Sequence, residues 1–163
     1  MKLVKLWVTY MEKYGKVLKI YPFVGITQSL LLGEPSLLRC GAGWSVYSIQ
    51  TDGNITPCPV MAGMKDFYLG NIRDTRPQDL RPIFVSEPCL SCDIYTLCGG
   101  RCLYANVTKR WGNEGYRIVC KTVRHLITTL KTVVPKIRQL ITTERLRIED
   151  FHYFKGNSCE IIP

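Results

Sequence analysis

The sequence predicts an α+β protein: a small cysteine-rich module of β-hairpin and helix, a long C-terminal helix, and a helix–strand unit in front. Three observations predict it. Two short alternating segments, 44–50 and 54–58, flank Asp52-Gly53. The stretch "PCLSCDIYTLCGGRC" puts four of the eight cysteines into residues 88–102. An apolar stripe at helical spacing runs from Val123 to Ile141.

Residues 3–14, "LVKLWVTYMEKY", carry Leu3, Leu6, Trp7, Tyr10 and Met11 at helical spacing, and Gly15 is placed to end that helix. "KVLKIYPFVGI" then reads as a strand and its exit, being rich in β-branched and aromatic residues. A helix followed by a strand is half of an α/β unit, which cannot bury both faces of its strand alone. "WSVYSIQTDGNITPC" is a hairpin signal, with Asp52 assigned to the turn. Residues 59–88 read as loops, and "LYANVTKRW" as a short helix ending near Gly112.

The longest element begins at Cys120. Val123, Leu126, Ile127, Leu130, Val133, Val134, Ile137, Leu140 and Ile141 form its apolar face, expected to cover the core. Pro135 is expected to kink or split it by removing a backbone bond to residue 131. Domain boundaries follow as 1–36, 37–120 and 121–163.

The chemistry lies in the cysteines. Cys40 and Cys58 bracket the hairpin; Cys89-x2-Cys92-x5-Cys98-x3-Cys102 follow, then Cys120, and Cys159 stands alone near the end. Two residues between thiolates allow a tight turn that aims both sulfurs at one centre, and Pro88 and Ser91 suit such a turn. Gly99 and Gly100 let the backbone pass close to a bulky site. Spacing alone leaves iron–sulfur, zinc and disulfide readings open, because iron–sulfur clusters and zinc both accept four thiolates. His125 and His152 read as packing or surface residues.

The first residues are too interrupted by lysines for a signal peptide, and no apolar run approaches the roughly 18 residues of a membrane span. A cytoplasmic location is expected, where close-spaced cysteines hold metal more often than they pair. The formal charge is +9. Two four-iron clusters on thiolates would bring it to about +5. A nucleic-acid role is therefore not needed to explain the surplus, and no basic motif interleaved with aromatics is present.

The pattern Cys40-x12-Gly53-x4-Cys58, Cys89-x2-Cys92-x5-Cys98-x3-Cys102, Cys120 resembles the seven-cysteine signature of the SPASM domain. That domain is the C-terminal extension of many radical S-adenosylmethionine (SAM) enzymes that modify peptides and proteins. The segment "EPCLSCDIYTLCGGRCLYAN" and the terminal "CEIIP" are similar to an archaeal group in that family. The resemblance implies two auxiliary [4Fe–4S] clusters: Cys89, Cys92, Cys98 and Cys120 on the second, and Cys40, Cys58 and Cys102 on the first. Cys159 is the remaining thiol for the first cluster's fourth position. It further implies a peptide or protein substrate. The signature Cys-x3-Cys-x2-Cys, which would hold the SAM-cleaving third cluster, does not occur in the sequence. SAM and that cluster are thus expected only in an intact parent enzyme, or on a separate barrel chain, with residues 1–36 a remnant of the barrel. In the sulfatase-maturing branch an aspartate base follows the hairpin's second cysteine; here Pro59 does, and the catalytic residues stay unassigned. The alternative is a structural or interaction module stapled by two zinc sites.

Overall fold

The computed structural model describes residues 2–152. Helix α1 (Lys2–Tyr14) ends where predicted: Gly15 has φ 60° and donates its N–H to Met11 O at 2.8 Å. The buried stripe, however, is Val4, Trp7, Val8 and Met11, while Leu3 and Leu6 are 53% and 65% exposed. Leu6 and Trp7 are adjacent in sequence and point about 100° apart on a helix. The bulky indole wins the interior and turns Leu6 outward.

The expected strand at 16–26 is not formed. Residues 16–20 are irregular, and helix α2 (Tyr21–Leu32) follows. Pro22 is not the exit of a strand. It stands in the first turn of a helix, where its missing N–H has no intrahelical partner to lose. Phe23, Val24, Gly25, Ile26 and Thr27 are buried in succession. A helix buried on all sides has no polar face, so its sequence shows no 3.6-residue period and imitates an interior strand. Gly33 closes it at φ 70°, donating to Ser29 O.

Helix α5 (Gly112–Thr142) packs against both α1 and α2, and its predicted apolar face is the buried one. Two expectations change. The helix starts eight residues earlier, so Cys120 sits inside it rather than at its head. It also continues through Pro135, which is exposed. Lys131, whose carbonyl loses its partner, is an exposed residue, and packing on both sides of the proline keeps the helix whole. Trp7 anchors this core, edge-on to Phe23 at 5.3 Å and to Phe151 at 6.3 Å between centroids. Its Nε1 donates to Leu18 O at 2.9 Å. Arg138 caps α2 through Leu30 O and Leu31 O, satisfying carbonyls that the helix end leaves open.

A second, smaller core contains Leu38, Ala42, Met61, Val85 and Leu103. It lies beside a three-stranded antiparallel sheet in the order β1 (Ser48–Ile49), β2 (Asn54–Thr56), β3 (Gly70–Asn71). The hairpin register pairs Ser48 with Thr56 and Ile49 with Ile55. The turn is as read: Asp52 Oδ1 accepts from Asn54 N at 3.0 Å. Strand β3 had no strand signal, being two residues in a loop. Asn71 holds it there, donating from Nδ2 to Asp52 O and Asn54 Oδ1, both at 3.2 Å. Helices α3 (Tyr95–Cys98) and α4 (Leu103–Thr108) follow; the short helix expected after Cys102 is present but ends at Thr108, and Gly112, its expected end, instead opens α5. Among the described residues no helix is long and apolar enough to cross a membrane.

The rotated α1 stripe gives a direct test. Trp7→Ala is expected to cost about 3–5 kcal/mol, as for a large buried aromatic, and Leu6→Ala about 0.5 kcal/mol or less. Denaturant unfolding of the two variants measures both.

Candidate metal centre

No disulfide joins any of the seven described cysteines. They fall into two sets. Cys89, Cys92, Cys98 and Cys120 line a single cavity together with Ile94, Tyr95, Gly100, Arg101, Tyr116, Val123 and Arg124. Cys58 lies close enough to Cys40 and Cys102 to feel the charge of each. All three belong to the region of the smaller core. Four of the thiols thus share one cavity, and Cys58 neighbours Cys40 and Cys102. Cys159 lies outside the described residues.

Local structure explains the sorting. The expected turn is present at Cys89–Cys92, where Cys92 N donates to Cys89 O at 3.0 Å and Cys89 N to Ser86 O at 3.1 Å. Cys98 ends α3, and Cys102 caps the start of α4 with its Sγ accepting from Ala105 N at 3.5 Å. Between them Gly99, Gly100 and Arg101 have φ values of 70°, 84° and 60°. The two glycines allow close approach to protein, and Gly100 also lines the four-thiol cavity. A Cβ on Gly99 would meet Leu37 C at 2.8 Å, and one on Gly100 would meet Val85 Cγ2 at 2.7 Å.

Burial raises the Cys58, Cys98 and Cys120 thiols above their ordinary range, and the neighbouring cysteines add to it. Arg39 opposes this at Cys98, and Arg101 and Arg124 oppose it at Cys120. Arg124 Nη2 stands 3.6 Å from Cys92 Sγ and also binds Asp93 at 2.6 Å. That guanidinium pulls the Asp93 carboxyl down to about 2. Asp93 thus anchors an arginine beside a sulfur. Tyr116 Oη lies 2.9 Å from Cys89 Sγ, and burial followed by that contact pushes its hydroxyl well up, so it stays protonated. Asn106 Nδ2 is 3.4 Å from the same sulfur. Sequence reading passed over Asn106, Tyr116, Arg101, Arg124 and Arg39. Only for Asn106 was there a signal, a polar residue on the buried side of a helix that a cysteine caps. His125 and His152 are exposed, as expected for surface residues. Pro59 opens a 3₁₀ turn directly after Cys58.

Among the described residues no three His, Cys, Asp or Glu side chains converge tightly enough to hold one metal ion. Four thiols nevertheless line one cavity, and N–H and O–H donors stand beside two of their sulfurs, Cys89 and Cys92, a donor set that zinc and iron–sulfur groups both accept.

Residues 40–103 match the family model of SPASM, an iron–sulfur cluster-binding domain. The match supports an iron–sulfur cluster-binding role for this segment and spans six of the seven described cysteines, leaving Cys120 beyond its end. A solved structure described as histidine-tagged anSMEcpe with bound AdoMet is 20% identical, over 82% of this chain and 42% of that one, with a TM-score of 0.47. The present chain thus spans less than half the length of that protein. Comparison with curated protein sequences finds no match.

The SPASM fold here rests on the turn between Cys98 and Cys102. Gly100→Ala forces a Cβ into Val85 at a left-handed position. It is expected to destabilise the module by about 2–4 kcal/mol and to cut iron uptake by more than half. Thermal melts and iron analysis read the two effects.

Proposed function

We propose that this chain is the auxiliary cluster-bearing part of a radical SAM enzyme that modifies a peptide or protein. Cys89, Cys92, Cys98 and Cys120 would hold one [4Fe–4S] cluster. Cys40, Cys58 and Cys102 would hold the other, with Cys159 as its fourth ligand. These clusters supply one-electron chemistry, and the chain around them relays electrons and shapes the substrate site. The observation that carries the reading is the sorting of seven thiols into two separate sets, one of them lining a cavity. SAM cleavage would belong to a barrel, on the same polypeptide or on a separate chain, because the Cys-x3-Cys-x2-Cys signature does not occur here. Residues 1–36 would then be the edge of that barrel, with 37–120 the cluster module and 121–163 its covering helix and tail. A reducing cytoplasm suits seven cysteines that no disulfide joins. The basic surplus offsets thiolate charge rather than marking a nucleic-acid partner.

Anaerobic purification followed by metal analysis is the test. The expected product is brown, bleaches with dithionite, and holds about eight irons per chain. Cys120→Ser should lose about half of that iron. Colourless protein with stoichiometric zinc would replace this reading with the stapled-module one.

Cys159→Ser tests the remaining ligand separately. Loss or conversion of one cluster, seen in iron content and electron paramagnetic resonance, is expected. An unchanged spectrum and iron count would leave that fourth position to water or substrate.

A further inference from the structure

Asn106 is polar and 0% exposed, in the middle of α4. Its Oδ1 accepts from Ser86 N at 2.8 Å and from Ser86 Oγ at 3.1 Å, while its Nδ2 donates to Ser86 O at 3.1 Å. This pairing fixes the carboxamide. Turned over, its NH2 would face the donors of Ser86 and its oxygen would face a carbonyl. The second N–H is therefore committed to the other side, where Cys89 Sγ lies at 3.4 Å and Tyr116 Oη at 3.2 Å. Tyr116 Oη is itself 2.9 Å from Cys89 Sγ.

The direction of these bonds follows from proton counting. A metal-bound cysteine is a thiolate with nothing to donate, so the Tyr116 hydroxyl must give its proton to Cys89. Its lone pair is then free to accept from Asn106. A chain of donors runs from Ser86 through Asn106 and Tyr116 and ends on one sulfur.

Hydrogen bonds to ligating sulfur favour the more negative, reduced state of an iron–sulfur group and so raise its reduction potential. Resting on the cluster reading above, we propose that Asn106 is a positioning residue for redox tuning at the Cys89/Cys92/Cys98/Cys120 site. Clamped by Ser86, it donates to Cys89 and orients the Tyr116 hydroxyl to donate as well. The cluster held there is thereby easier to reduce than its four thiolates alone would make it.

The test is an anaerobic redox titration of the reconstituted full chain, followed by electron paramagnetic resonance. Asn106→Leu keeps the volume and removes the donors. Its iron content should match wild type. Only one cluster should respond: at its wild-type midpoint the reduced-to-oxidised ratio should fall about tenfold, a downward shift of about 59 mV for one electron. Tyr116→Phe should shift the same cluster in the same direction by less, since Asn106 still reaches Cys89. Equal midpoints in iron-replete variants, or equal shifts of both clusters, would overturn the proposal. Should Asn106→Leu fail to load iron, Tyr116→Phe decides on the same criterion. Wild-type protein without iron would instead overturn the cluster reading itself.

Discussion

Between Cys98 and Cys102 the backbone passes through three consecutive left-handed residues, and the division of the thiols into two sets depends on that turn. Cys98 closes α3 toward the four-thiol cavity, and Cys102 opens α4 toward Cys58. Two glycines adopt the left-handed conformation at no steric cost. Arg101 does not, and a non-glycine residue there is disfavoured by about 1–2 kcal/mol. Its side chain is held in place: it is buried, with the guanidinium carbon 5.2 Å from the Trp111 ring and 5.7 Å from Tyr116. Cation–π contacts of about 0.5–2 kcal/mol each are the right size to offset the strain. The turn thus places a positive charge beside Cys120 while sending the two neighbouring cysteines to different sets.

Charge balance explains why the four-thiol cavity is built as it is. Several thiolates gathered in a half-buried place repel one another and lose hydration, which is why burial lifts Cys98 and Cys120. Arg39, Arg101 and Arg124 act against this from three different segments. Arg124 is aimed by Asp93, so a carboxylate one residue from Cys92 serves the sulfur indirectly. Part of the net +9 thus stands beside the thiols, in Arg39, Arg101 and Arg124.

The sequence made some of this legible because a strict pattern carried it. The hairpin turn at Asp52-Gly53 and the α5 stripe both need particular residues at particular spacings, and both are present in the structure. What stayed illegible is tertiary. Helix α2 has no polar face to give it a period. The first turns of α5 contain two glycines, Gly112 and Gly115, and are positioned by the burial of Tyr116 rather than by propensity. Strand β3 is two residues long, paired to β2 through the backbone and tied down by the Asn71 side chain. The residues around the sulfurs come from four segments of the chain, and no short motif announces them.

The two hydrophobic cores divide the labour unequally. The larger one joins α1, α2 and α5 through fully buried residues such as Val4, Trp7, Ile26, Ile127 and Phe151, packing that needs no metal. The smaller one has few buried apolar side chains, and Cys40, Cys58 and Cys89 stand at its margin. A sheet whose strands are two or three residues long has little stability of its own. Ligation at those cysteines would add to this weaker half the cohesion that its apolar area cannot supply. Helix α5 links the halves: its stripe belongs to the larger core, while Cys120 and Tyr116, one turn apart, face the thiol cavity. The buried stripe therefore fixes the rotation of α5, and that rotation in turn sets where the seventh thiol and the tyrosine hydroxyl can stand.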